Sequence, residues 1–163
     1  CDNPILFLEH REIIMNKEEV PDEQYQIPFG KAKIVIEGSQ LTVVSLAKML
    51  LISEEAINEL SNSEKYSIEL IDPRCVSPLD YETIVESVKK TGRLLIIDEE
   101  FEPCSIASQI SSKIIDIAFD YLDAPIKLIN GSFSPTPYSP SLEKEIIPSK
   151  EIIKQKIVEI LNE

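Results

Sequence analysis

Glycine, histidine and cysteine are scarce in this chain of 163 residues, with four, one and three copies, and tryptophan is absent. Each shortage removes a class of function. Gly30, Gly38, Gly92 and Gly131 stand far apart, and none belongs to a G-x-G-x-x-G or phosphate-loop pattern. Backbone amides cannot crowd a pyrophosphate without glycine at the turn, so a self-contained nucleotide site is not expected. His10 is the lone histidine. Zinc needs three or four Cys, His or carboxylate ligands, and no cluster accompanies it. Nor does a second histidine exist to act as base for Cys75 or Cys104. In "FLEHR" the residues Glu9, His10 and Arg11 read as the polar end of a strand rather than as an acid or base. The cysteines Cys1, Cys75 and Cys104 are odd in number, sparse and without C-x-x-C, which predicts a reducing, cytoplasmic setting over a disulfide framework. Asn130-Gly131-Ser132 accordingly reads as a turn. No apolar stretch approaches the ~20 residues of a membrane span, and no basic-then-apolar leader opens the chain. Catalytic, cofactor-binding and metal-ligating residues are therefore not assigned within the chain.

Basic residues are few as well. Sixteen Lys and Arg face 29 Asp and Glu, a formal net charge of -13. Such a surface repels phosphate backbones and anionic membranes, so neither nucleic acid nor membrane is an expected partner. A basic protein partner is attracted, and the same acidity also serves solubility. What remains is an ordinary globular composition, 43% hydrophobic and 28% charged, at a length that suits one domain. The chain opens on Cys1, and Asp2-Asn3-Pro4 runs straight into "ILFL", as expected of a piece cut from a longer polypeptide.

The apolar pattern sets the order of elements. Residues 5–8 read as a buried strand, and 12–30, charged and holding Pro21 and Pro28, as a connecting arm. "KIVIEGSQLTVVSL" gives two apolar runs, 33–36 and 41–46, around Gly38-Ser39, which predicts a hairpin or sharp strand pair. Met49, Leu50, Ala56, Ile57 and Leu60 fit one helical face ending near Asn62. Alternation follows: strand 66–71, helix 78–90, strand 93–97, helix 104–122, strand 126–129 and a terminal helix at 149–161. Ile106, Ile110, Ile114, Ile117, Ala118 and Tyr121 recur at three- and four-residue steps in helix 104–122. Ile153, Ile157, Ile160 and Leu161 repeat the stripe in the last helix, with Ser149 as its N-cap. Strands "IELI" and "LLII" are apolar on both faces, as strands covered by helices on each side must be. The fold class is α/β: a three-layer α/β/α sandwich on a mostly parallel, mixed sheet. Gly131 to Pro148, with four prolines, reads as extended chain on the surface.

At "DPRCVSPLDYETI" (72–84) Pro73 stops a strand, Ser77 is expected to cap the next helix, Pro78 to occupy its first position, and Asp80 to complete an S-x-x-D capping box. Gly92 is placed for a left-handed C-cap. Arg74 stands at the carboxyl end of a strand, where α/β sheets place ligands. The acidic runs Asp98-Glu99-Glu100 and Glu54-Glu55 read as solvated faces. Asp98 is distinguished by ending strand 93–97 and starting the loop into helix 104–122.

In this order "NPILFLEHREI", "VPDEQYQIPFGKAKIVIEGSQLTVVSLAKM", "IDPRCVSPLDYETIVESVKKTGRLLIIDE", "AFDYLDAPIKLI" and "PTPYSPSLEKEIIPSKEII" the chain resembles one family from about residue 3 to its end. It is the carboxyl-terminal half of the beta subunit of thiamine-diphosphate-dependent 2-oxo acid dehydrogenases, the decarboxylating component of pyruvate and branched-chain complexes. The S-P-L-D corner with V-K-K-T-G-R-L, and D-Y-L-D-A-P, are its most specific pieces; they do not select the 2-oxo acid. The resemblance implies a transketolase C-terminal-like domain at 31–163, with 1–30 as the last strand of a preceding pyrimidine-binding domain and an arm. It implies that the complete enzyme uses thiamine diphosphate and Mg²⁺, held outside this piece, and passes an acyl group to a lipoyl arm. Implied partners are an alpha subunit or alpha half, a second beta subunit, and the basic subunit-binding domain of the lipoyl acyltransferase, for which Asp120 and Asp123 are the candidate docking residues. This piece would support assembly and not turn over alone. Related thiamine enzymes, such as acetoin dehydrogenase or deoxyxylulose-phosphate synthase, and a non-catalytic interaction module are the alternatives. Three departures stand out: Asp98 where a histidine is common, Pro103-Cys104-Ser105 where glycines are usual, and Leu46-Ala47 for a common Tyr-Gly.

Overall fold

The structure, a computed structural model, describes every residue except Cys1, Glu18 and Lys65. Ten main elements follow the arm: β1 (Lys33–Ile36), β2 (Leu41–Ser45), α1 (Ala47–Glu64), β3 (Ile68–Asp72), α2 (Tyr81–Thr91), β4 (Leu94–Phe101), α3 (Ile106–Ala118), β5 (Lys127–Gly131), α4 (Pro140–Ile146) and α5 (Lys150–Asn162). A 3-10 turn, Phe119–Tyr121, extends α3. The sheet order is β1-β3-β2-β4-β5, with β1 antiparallel to β3 and all other pairs parallel.

Burial explains this order. Every residue of β2 is buried, so it lies between two strands and two helical layers. On one face Leu41, Val43 and Leu95 pack with α1 and α5 through Ile57, Ile153 and Ile157. On the other, Val44, Ile71 and Ile96 pack with α2 and α3 through Ile84, Ile110 and Ile114. Each such side chain contributes roughly 1.5–3 kcal/mol by leaving water. Glu59 of α1 receives Lys150 at 2.7 Å and Lys154 at 2.8 Å from α5, and these ammonium groups hold its carboxyl down to about 2.

The expected β1–β2 hairpin does not form, because β3 lies between the two strands. Their connection crosses the start of β3: Ser39 and Gln40 N–H both donate to the Ser67 carbonyl, at 3.2 and 2.8 Å. Gly38 makes the crossing possible, since a Cβ there would stand 2.2 Å from the Ile68 carbonyl carbon. The corner after β3 also differs in detail. The cap of α2 is Asp80, whose side chain accepts from Thr83 N–H, while Ser77 and Pro78 precede the helix. Asp80 takes the role because it is buried and also accepts from Ala32 N–H at 3.0 Å, tying α2 to the base of β1. Gly92 is the left-handed C-cap, φ +69°, with its N–H on the Val88 carbonyl at 2.8 Å. Residues 131–148 are interrupted by the short α4, which starts with Pro140 behind Ser139. Residues 5–8 form no strand and are exposed, Leu6 by 84%, because no sheet edge of this chain reaches them.

Candidate functional site

The connections leaving β2 and β4 diverge: β2 runs through α1 on one face to β3, and β4 runs through α3 on the opposite face to β5. Divergence at neighbouring parallel strands opens a crevice beyond their carboxyl ends, the place where open α/β sheets bind ligands. A cleft of about 520 Å³ lies at the carboxyl end of β4, walled by His10, Arg11 and Glu12 of the arm, Asp98 to Phe101 of β4, and Glu143 and Ile147 around α4. A second cleft of about 420 Å³ shares Glu12, Glu143 and Ile147 and extends to Lys48 and Pro148.

Two polar contacts, His10 to Glu99 and Glu12 to Lys48, fasten the arm to β4 and α1, and a third orients the His10 ring. His10 Nε2–H donates to Glu99 Oε1 at 2.6 Å, and Glu12 N–H donates to His10 Nδ1 at 3.3 Å. A backbone N–H can only donate, so Nδ1 accepts and the ring proton sits on Nε2. Lys48, in the first turn of α1, holds Glu12 at 2.5 Å, and that bond holds the Glu12 carboxyl below its usual range. His10 thus fastens the arm. The ring makes the polar contacts expected of it, although the strand expected to carry it is absent.

Backbone conformation marks the same region. Ala47, Arg74 and Cys104 all have positive φ, at 48°, 58° and 63°. They follow β2, β3 and β4 in turn, so each of the three inner parallel strands ends in a left-handed residue that carries a side chain. That conformation is unfavourable for any residue with a Cβ and clusters at functional sites. Ala47 and Cys104 are two of the positions where the sequence lacks an expected glycine, so the departures now have a conformational cost attached. Arg74 is exposed, and its N–H donates to Asp72 Oδ1 at 2.9 Å.

Asp98 lies within β4 rather than at its end, since the strand continues to Phe101. It is 7% exposed, and burial pushes its carboxyl above the usual range against the pull of the Glu100 and Glu99 N–H groups. Asp120 lies in the 3-10 turn and Asp123 just beyond it, both exposed and remote in sequence from the cleft residues. Asp123 N–H donates to the Gly92 carbonyl at 2.7 Å, and its carboxylate covers the open face of Gly92. Neither carboxylate has a cationic partner among the described residues, while exposed Phe119 and Tyr121 flank them. Asp120 and Asp123 thus lie within four residues of each other in the exposed segment that follows α3.

Among the described residues the glycines serve the backbone rather than cradle a diphosphate. Gly38 and Gly92 are taken up by the strand crossing and the helix cap, and a Cβ on Gly131 would meet the Glu99 carbonyl oxygen at 2.2 Å. Among the described residues no group of three His, Cys, Asp or Glu is placed to hold a metal ion. No helix among them is long and apolar enough to cross a membrane. Sequence reading missed the His10–Glu99 and Glu12–Lys48 contacts. The first joins residues 89 apart, and no local pattern carries such a signal.

Comparison with known proteins places this arrangement. The chain is 39% identical to the pyruvate dehydrogenase E1 component subunit beta of Rickettsia felis over 98% of its length and 48% of that protein. It is 41% identical to the acetoin:2,6-dichlorophenolindophenol oxidoreductase subunit beta of Bacillus subtilis over 99% of its length and 47% of that protein. The chain thus spans about half the length of the curated relatives it matches. Among solved structures, a split-gene transketolase described as an inactive beta4 tetramer superposes with a TM-score of 0.72 over 90% of this chain and 46% of that one, at 18% identity, which speaks to the fold alone. The family model for the transketolase C-terminal domain matches residues 30–153, the whole span from the end of the arm into α5. With the sheet order, the crevice and the sequence likeness in agreement, the chain belongs to the transketolase C-terminal domain family.

Proposed function

We propose that this chain is the C-terminal domain of the beta subunit, or of an alpha–beta fusion, of a thiamine-diphosphate-dependent 2-oxo acid dehydrogenase acting in the cytoplasm. The observation that carries the reading is the 39% identity to a pyruvate dehydrogenase beta subunit across nearly the whole chain. In this reading residues 1–30 are the last strand of a preceding pyrimidine-binding domain and its arm, and the exposed apolar run 5–8 is where that domain continues. The complete enzyme decarboxylates pyruvate or a branched-chain 2-oxo acid and hands the acyl group to a lipoyl arm. Thiamine diphosphate supplies the carbanion chemistry when bound there with Mg²⁺. The role of this chain is to hold the arm through His10 and Glu12, support the alpha and second beta subunits, and dock the acyltransferase. A second reading, acetoin dehydrogenase, is favoured by the 41% identity to the Bacillus subtilis protein.

Reconstitution with the upstream half and an alpha partner separates the two. Turnover of a 2-oxo acid supports the first reading, turnover of acetoin alone supports the second, and turnover by this chain unaided refutes both. Docking has its own test. A basic subunit-binding domain should bind the corner of Asp120 and Asp123 with an affinity that falls as salt rises. Asp120→Asn with Asp123→Asn should weaken it about tenfold or more, in line with the cost of truncating charged contacts. Affinity that ignores both salt and the double variant excludes an acidic docking face.

A further inference from the structure

Two buried side-chain oxygens lack any hydrogen-bond partner among the described residues: Asp98 Oδ2 and Asn130 Oδ1. They belong to neighbouring strands. Ile97 of β4 is paired in register with Ile129 of β5, and Asp98 and Asn130 are the next residue on each. Ile96 and Leu128, two residues earlier on each strand, both pack on the α2 and α3 face, so alternation puts Asp98 and Asn130 on that face. That face carries α3, whose N-cap Ser105 lies 3.4 Å from Asn130 Nδ2. The amide cannot turn over to relieve its oxygen, because Nδ2 already donates to the Glu100 carbonyl at 3.0 Å and a flip would set oxygen against oxygen. Asp98 is fixed as well, its Oδ1 accepting from Glu100 N–H at 3.3 Å. Both side chains thus hold the backbone of Glu100, one through its N–H and the other through its carbonyl, in the stretch where the β4–β5 register shifts.

Two buried acceptors on adjacent strands, neither with a hydrogen-bond partner, are an expensive arrangement, and a single shared hydrogen removes it. We propose that Asp98 and Asn130 share a proton: neutral Asp98 donates Oδ2–H to Asn130 Oδ1, locking the irregular end of β4 to β5 over the start of α3. The surrounding charge is consistent. On its own strand Asp98 is followed by two more carboxylates, Glu99 and Glu100. β2 ends beside it in uncharged Ser45, and the first turn of α3 carries no acidic residue. Glu99, whose charge opposes ionisation of Asp98, is the residue that holds His10. Loss of the proton therefore adds a negative charge to the residue next to Glu99, which fastens the arm. Burial favours the neutral acid at this position and outweighs the opposing pull of the Glu100, Glu99 and Ala107 N–H groups, the last in the first turn of α3. A carboxyl raised in the folded state contributes stability that is full below its unfolded value of 3.8 and disappears as pH rises through the folded value.

The test is a carboxyl-carbon NMR titration of the purified chain, with Asp98→Asn assigning the resonance. Asp98 is expected to titrate above the ordinary aspartate range. The Asn130 side-chain amide signals of the unaltered chain are expected to shift with the same midpoint, and Asn130→Ala is expected to lower it. A midpoint in the ordinary aspartate range overturns the proposal. So do Asn130 amide signals that stay flat through the Asp98 transition, a reading that requires no altered chain to fold.

Discussion

Cys104 offers a clean measurement of what the missing glycine does. It sits at φ +63° immediately before the N-cap of α3 and is exposed, so trimming its thiol forfeits little buried surface. A residue with a Cβ is about 1–2 kcal/mol less stable in the left-handed region than in the right-handed one. Glycine avoids that penalty but leaves the unfolded chain freer, which offsets roughly 0.4–1 kcal/mol. The difference favours Cys104→Gly by about 0.5–1 kcal/mol. For a domain of this size that is a rise in Tm of about 1–4 °C. Cys104→Ala is the control, because it removes sulfur and keeps the Cβ; it should melt with the unaltered chain. Urea unfolding of the three proteins, read by circular dichroism, should order them glycine first and the other two together. If the alanine and glycine variants coincide, backbone strain is not what the position carries and the argument fails. Ala47→Gly, at φ +48°, should move stability in the same direction.

Other perturbations follow from the packing. Gly38→Ala drives a methyl to 2.2 Å from Ile68 C and 2.3 Å from Glu69 N, both backbone atoms. It should lose about 2–3 kcal/mol or more in urea unfolding, at the upper end for overpacking, and unchanged stability would remove the crossing described for the β1–β2 connection. Lys90→Met strips the cation from Glu69, which is 1% exposed. Lys90 itself is half-exposed and screened by water, so a loss of about 1–2 kcal/mol is expected at pH 7 rather than the larger value of a fully buried pair. The acid side has a definite sign. Burial pushes the Glu69 carboxyl up, but Lys90, Ser87 and the Gly38 N–H outweigh it and hold it low. Its stabilisation is thus present above the unfolded value of 4.5 and lost as pH falls through the folded value. Lys90→Met should flatten that acid loss, and an identical pH profile in both proteins would exclude the pairing as its source.

What the sequence revealed was local, and what it hid was long-range. The stripe of α5 and its Ser149 cap are visible because period and cap lie within one turn of each other. α3 is visible for the same reason, but its spacing does not mark its end: the α-helix stops at Ala118, Tyr121 belongs to the 3-10 turn, and Ile117 and Tyr121 are both exposed. Gly38-Ser39 between two apolar runs fits a hairpin and a crossing equally well, and only the burial demand of β2 decides between them. The α2 cap shows the same degeneracy, since S-x-x-D from Ser77 and D-x-x-T from Asp80 are both present. The contact to Ala32 selects the second. The site was the least legible part. Its position at the ends of β2 and β4 follows from strand order, and strand order is a property of the assembled sheet.

The three left-handed residues tie the fold to the site. At about 1–2 kcal/mol each they sum to roughly 3–6 kcal/mol, a large share of the 5–15 kcal/mol by which a domain is usually stable. Such turns persist only where their surroundings leave no alternative. Here the surroundings are β2, β3 and β4, whose core residues are almost wholly buried between two helical layers. A rigid sheet dictates where each strand must stop, and the chain then turns there with whatever residue it has. Because the glycines stand elsewhere, a methyl, a guanidinium and a thiol face solvent at the carboxyl edge where glycine would leave bare backbone. Stability lost in the turns thus becomes side-chain chemistry along the edge that α/β sheets present to their ligands and partners.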